Sequence, residues 1–133
     1  MHGLYVIKWV QSRISYKLAL NSAVGTAITD DDGVIAIGVI FDNFIIESKN
    51  IEVSVAVGNK KAITKLAIKT LFDIAFNHIG VERITCYNET SNTKSVRMAE
   101  MLGFKKEGVM RKASYNREDL NIYGMLKSEC KWI

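Results

Sequence analysis

The chain has 133 residues, 48% of them hydrophobic and 24% charged, with a formal net charge of +4. That length suits one domain, residues 1–133, no apolar run approaches the roughly 20 residues of a membrane span, and the modest charge fits anionic small molecules or acidic surfaces better than nucleic acid. Cys86 and Cys130 fall in predicted strands without metal-ligand spacing, so reduced, buried thiols in a cytoplasmic protein are expected, and no metal.

The N-terminus has no basic region followed by a cleavable apolar stretch, so no secretory signal is expected. Leu4, Ile7, Val10, Ile14 and Leu18 recur at helical spacing and predict an amphipathic first helix from about Leu4 to Leu18. Ala23 to Thr29 reads as a strand, Asp30 to Gly33 as a turn, and Val34 to Phe41 as a nearly continuous apolar strand buried on both faces. Asp42 to Asn50 is predicted as a loop, and Ile51 to Val57 alternates as a third strand.

With no proline in the chain, glycine and Asn/Asp clusters must mark the boundaries. Gly58-Asn59 ends the third strand, and one long helix follows to Gly80 with Ile63, Leu66, Ala67, Leu71, Ile74, Ala75 and His78 on one side. Val81 to Tyr87 is a fourth strand. Asn92 then opens a short helix that Gly103 stops, with Ser91 or Asn92 as its cap and Ser95 one turn inside. Phe104 to Lys112 and Leu120 to Lys127 close the chain as an antiparallel pair around the polar loop Ser114 to Asp119. The order is an α+β layout, helices on a mixed, mostly antiparallel sheet.

The run Asn92-x-x-Ser95, Glu100-Met-Leu-Gly103-Phe104, Glu107-Gly108-Val-Met-Arg111 resembles the fourth motif region of GNAT-superfamily N-acyltransferases, nearest to the RimJ/RimL-like branch. Upstream, Gly38-Val-Ile-Phe-Asp42-Asn43-Phe44, Ile51-Glu52-Val-Ser54-Val and Leu71-Phe-Asp73-Ile-Ala-Phe-Asn77 are similar to a small GNAT-like group met in phage and prophage genomes, and Ile122-Tyr123-Gly-Met125 through Trp132 matches its closing strand. The likeness runs from about Ala23 to Ile133. It implies a GNAT-like fold whose usual opening strand is missing here, so that a second copy or a partner chain could fill the sheet edge.

The resemblance also implies a site. Acyl-coenzyme A would lie in a V-shaped split between the strands at 51–57 and 82–87, against Val55 and Val57 and with Asn88 and Asn92 on its arm. Where the family has a glycine-lined phosphate loop, this chain has Asn59-Lys60-Lys61-Ala62-Ile63-Thr64; Lys60, Lys61 and Lys65 supply positive charge instead, or form a solvated helix face. The family's helix tyrosine is replaced by Ala99, which leaves the Ser95 hydroxyl to donate to the leaving sulfur. Glu52 is the candidate base for the incoming ammonium and Asp42 a second one.

Each residue also has a plainer reading. Ser95 is then a first-turn helix serine, Glu52 a solvent-facing strand residue, Asp42 turn chemistry, Asn88 a strand end and Asn92 a cap. Tyr123 and Trp132 are expected to fill the core, and His78 to pack near a helix end. The expected activity is acetyl transfer from acetyl-coenzyme A to a primary amine by direct attack. The competing readings are a GNAT-fold binding or assembly module without catalysis, and RNA or ribosome binding through Lys105, Lys106, Arg111, Lys112 and Arg117.

Overall fold

The structure is a computed structural model that describes residues 3–14 and 22–133. In chain order these form helix α1 (Gly3–Gln11), strands β1 (Val24–Thr29), β2 (Ile35–Ile45) and β3 (Asn50–Val57), a 3-10 turn (Lys60–Ala62) and helix α2 (Lys65–Asp73). A π-helical segment (Ile74–Ile79), strand β4 (Arg83–Glu89), helix α3 (Thr93–Leu102), strands β5 (Lys105–Met110) and β6 (Leu120–Leu126), and a last 3-10 turn (Lys127–Glu129) follow. The strands make one sheet in the order β1-β2-β3-β4-β6-β5, antiparallel except for the β3–β4 pair. This is the α+β layout expected.

Helices lie on opposite faces. Odd-numbered β3 residues and Ile37, Val39 and Phe41 of β2 face α2 and α3, where Phe72, Ala75, Phe76, Ile84, Ala99, Phe104 and Met125 complete the main core. On the other face α1 buries Val6 and Val10 against Ile35, Ile40 and Ala56. Residues 35–41 are buried throughout, as their unbroken apolar run predicts, while Val34 at its start is 59% exposed.

Four expectations need correction. The first helix ends at Gln11, and its inner face is Val6 and Val10, with Leu4 53% exposed; Leu18 lies outside the described residues. Its facing is set by Trp9. The indole fits over two glycines, where a Cβ on Gly38 would come within 2.8 Å of Trp9 Cε3 and one on Gly58 within 2.9 Å of Cζ2.

The predicted loop at 42–50 is mostly strand. β2 continues to Ile45 through a register shift between Asp42 and Ile45, with Asn43 (φ 53) and Lys49 (φ 51) taking the left-handed conformations that this tight hairpin needs. The helix before Gly80 is also not one helix. Thr64 caps a nine-residue α2 by accepting from Ala67 N at 3.1 Å, and the chain widens into the π-helical segment at Ile74. Leu66 is therefore 74% exposed in the first turn and His78 is exposed, while Phe72 and Phe76 take the core positions, 6.2 Å apart. Finally, the fourth strand starts at Arg83 and runs to Glu89, two residues later than predicted.

Candidate active site

The parallel β3–β4 pair forms only three rungs, Asn50↔Arg83, Ile51↔Ile84 and Glu52↔Thr85. On its outer side β3 stays paired with β2 from Asn50 to Val57, and β4 stays paired with β6 from Arg83 to Glu89. Past Glu52 β3 and β4 share no further rung, so the sheet carries a V that opens toward the carboxyl ends of the one parallel pair among the described residues. Both following helices begin at that mouth, α2 after residue 57 and α3 after residue 89. The first turn of a helix carries N–H groups without intrahelical partners, and here Thr64 and Asn92 each accept from one of them.

Side chains on the two faces of the V differ. Val53, Val55 and Val57 point to the α2/α3 face and line a cleft with Leu71, Met98 and Leu102. Glu52 points to the opposite face, as does its cross-strand neighbour Asp42, which is buried and accepts from Ser22 N at 2.9 Å. Ser95 belongs to α3 and so approaches from the cleft side, half-buried, one turn inside a helix capped by Asn92, whose Oδ1 accepts from Ser95 N at 3.2 Å. The two catalytic candidates thus lie on opposite faces of the sheet.

Glu52 is held by two donors. Tyr87 Oη donates to Oε2 at 2.8 Å, and Asn43 Nδ2 donates to Oε1 at 3.0 Å. Burial first, and Glu52 second, push the Tyr87 hydroxyl up to about 12, so it stays protonated as a donor at neutral pH. The sequence reading missed Tyr87, which shares the parity of Thr85, the residue facing Glu52 across the parallel pair. It missed Glu89 as well. That carboxylate is only 5% exposed and accepts from Ser114 Oγ at 2.7 Å and from Asn116 Nδ2 at 3.2 Å, tying the 111–119 loop to the end of β4.

The remaining candidates are placed as follows. Asn88 is buried and accepts from Asn121 Nδ2 at 2.9 Å; the Oδ1 of Asn121, itself 3% exposed, has no hydrogen-bond partner among the described residues. A buried amide oxygen left so costs about 1–3 kcal/mol unless a donor reaches it. Lys60 and Lys61 are exposed at the mouth in the 3-10 turn, which Asn59 caps by accepting from Lys61 N at 3.0 Å. Tyr123 is buried in the core, and Trp132 is half-buried with Nε1 donating to Leu102 O at 2.8 Å. Both cysteines are free thiols, and burial pushes Cys86 up to about 12. Among the described residues no helix is long and apolar enough to cross a membrane.

Residues 6–105 match the family model described as the acetyltransferase (GNAT) domain. A curated relative, the "Uncharacterized N-acetyltransferase p20" of Bacillus licheniformis, is 32% identical over 72 residues, 52% of this chain and 40% of the relative. The match thus spans less than half of that protein. Among solved structures, a variant of the spermidine N-acetyltransferase SpeG from Vibrio cholerae aligns with a TM-score of 0.73 at 18% identity, over 85% of this chain and 69% of its own. A crystal structure described as a probable acetyltransferase aligns with a TM-score of 0.69 at 24% identity, over 80% of this chain and 63% of that one. At such identities the likeness speaks to the fold.

Proposed function

Because the chain belongs to the acetyltransferase (GNAT) domain family, we propose that it moves an acetyl group from acetyl-coenzyme A directly to a primary amine. The observation that carries this reading is the three-rung β3–β4 pairing, which leaves two backbone edges facing a gap wide at its carboxyl end. Such edges suit the amides of a pantetheine arm, and the helix starts beyond them suit its diphosphate, with Lys60 and Lys61 adding charge.

The chemistry needs two proton-handling groups. The lone pair of the amine nitrogen attacks the thioester carbonyl carbon, the carbon–sulfur bond breaks, and coenzyme A leaves as a thiolate. Glu52 takes the proton lost by nitrogen, directly or through water, and passes it to solvent. The Ser95 hydroxyl donates to the departing sulfur. Tyr87 and Asn43 fix the Glu52 carboxylate on the face from which the acceptor arrives.

Asp42 and Glu89 share that face, and three carboxylates there favour a cationic acceptor. A protein N-terminus, a lysine or a small polyamine all meet that description; the spermidine acetyltransferase among the structural neighbours supports an amine acceptor of this kind. We also assign the chain to the RimJ/RimL-like branch on the run from Asn92 to Arg111, to the small phage or prophage type on the upstream segments between Gly38 and Asn77, and its place of action to the cytoplasm. β1 has one strand neighbour among the described residues, and a second chain added there would complete the sheet edge.

The second reading is a non-catalytic binding module. It is favoured by Ala99, buried in the main core where the family carries a tyrosine, and by Thr64, whose side chain already fills the first turn of α2. Isothermal titration with acetyl-coenzyme A tests the first reading: saturable heat is expected, and a flat trace at millimolar ligand would overturn it.

A further inference from the structure

Asn88 and Asn121 stand opposite each other in the β4–β6 register, on the face of the sheet that carries Ile84 and Met125. Each is 3% exposed, and Asn121 Nδ2 donates to Asn88 Oδ1 at 2.9 Å. The other cross-strand neighbour of Asn121 is Val109 of β5, which is apolar and gives the Asn121 Oδ1 nothing to accept. That oxygen has no partner among the described residues.

The orphaned oxygen fixes the sense of both amides. Turning the two over would keep one hydrogen bond between them, but would bury the N–H bonds of Asn121 without an acceptor. Buried donors are left bare more rarely than buried acceptors. Asn121 therefore meets Asn88 as a donor. With Asn88 Oδ1 engaged on the β6 side, its Nδ2 turns to the other edge of β4, which has no rung with β3 beyond Thr85. There it donates to nothing among the described residues. An apolar residue at 121 would leave no bare oxygen in the interior; the amide instead supplies a fixed orientation for Asn88.

We infer that Asn121 is a positioning residue for the donor. It holds the Asn88 carboxamide so that Nδ2 presents its N–H bonds to the gap, where an amide carbonyl of the pantetheine arm accepts one. The inference rests on the acyltransferase reading, and it gives a part in donor binding to β6, a strand that borders neither side of the gap.

Titration of the whole chain with acetyl-coenzyme A, as wild type, Asn121→Val, Asn88→Ala and the double variant, tests this alongside thermal melts. Asn121→Val is expected to weaken binding about 10-fold with little change in Tm, since the bare oxygen leaves together with the donor. In the Asn88→Ala background the same substitution is expected to alter affinity by about 2-fold or less. By NMR, the side-chain NH2 resonance of Asn88, identified by its loss in Asn88→Ala, is expected to shift as the wild type takes up the ligand. A lowered Tm with unchanged affinity makes Asn121 structural only and overturns the inference, as do losses that add in full in the double variant. Should Asn121→Val fail to fold, an Asn88 resonance that acetyl-coenzyme A leaves unmoved overturns the inference by itself. In each of these cases wild-type binding leaves the acyltransferase reading standing. Failure of the wild type to bind overturns both.

Discussion

The Tyr87 hydroxyl donates to Glu52 Oε2 at 2.8 Å, from two residues along β4 beyond Thr85, the partner of Glu52 in the last rung that β3 and β4 share. A hydrogen bond thus bridges the two strands where they begin to part, on the face away from α2 and α3. Glu52→Gln is expected to lower kcat by about 10²-fold or more, because a positioned base contributes about 10²–10⁴-fold to such reactions. Tyr87→Phe should cost less, about 10-fold, since the carboxylate keeps Asn43 and loses one orienting partner. Steady-state rates for both variants, alongside thermal melts that stay near wild type, check this; an unchanged kcat in Glu52→Gln removes it as the base.

Ser95→Ala separates the enzyme from the binding module. With Ser95 as donor to the leaving sulfur, kcat should fall about 10²-fold with little change in acetyl-coenzyme A affinity. Its backbone N–H still reaches the Asn92 cap, so folding should be retained. A variant with full turnover would exclude the hydroxyl from the reaction.

Lys60 and Lys61 stand exposed at the mouth of the V. Reversing both to glutamate should weaken acetyl-coenzyme A binding about 10-fold at low ionic strength, and most of that difference should vanish near 1 M salt, where screening shortens to about 3 Å. Titrations at two salt concentrations measure it. A salt-independent loss would mean that the turn itself had been disturbed.

Gly38 was expected only as part of a motif run and Gly58 only as a strand end, yet α1 docks on them through Trp9. Gly38→Ala places a Cβ within 2.8 Å of the indole and 2.7 Å of Val10 Cγ2. Overpacking of this kind should destabilise the fold by about 1–3 kcal/mol. Urea unfolding followed by circular dichroism checks the value.

On the face of the sheet opposite α2 and α3, Arg83 pairs with Glu107 over Gly124. The hydrogen bond from the guanidinium holds the Glu107 carboxyl below the usual glutamate range. A carboxyl depressed in the folded state gives its full stabilisation above its unfolded pKa, about 4.3, and loses it as pH falls through the folded value. Stability should therefore be flat near neutrality and decline on acidification, and Glu107→Gln should remove part of that decline. Both partners are partly exposed, so the effect should stay within about 1 kcal/mol. Urea midpoints at several pH values between neutral and acid give the comparison.

The layout was legible because its signals are local. The apolar run at 35–41 and the alternation at 51–57 fix the buried faces, and Gly80 (φ 87) and Gly103 (φ 102) end their helical segments where they were expected to. Helix facing was less legible. Phe72 is buried from within α2, and the wider turn of the π-helical segment after it buries Phe76 and leaves His78 outside, a change that a 3.6-residue periodicity does not express. At the site, Glu52 and Ser95 could be picked out singly. Their partners Tyr87 and Asn43 depend on cross-strand register and a left-handed bulge residue, which chain order alone does not reveal.

The seat of Trp9 gives this molecule a built-in optical reporter. The indole is held between the Arg13 guanidinium, 3.9 Å from its ring, and Gly58, the residue that follows the free end of β3. Only one other tryptophan exists in the chain, Trp132, on the far side of the sheet against Leu102. With Trp132 replaced by phenylalanine, emission from a single ring would follow any displacement of β3 as the V takes up its donor, so occupancy could be timed in a stopped-flow mixer without a label.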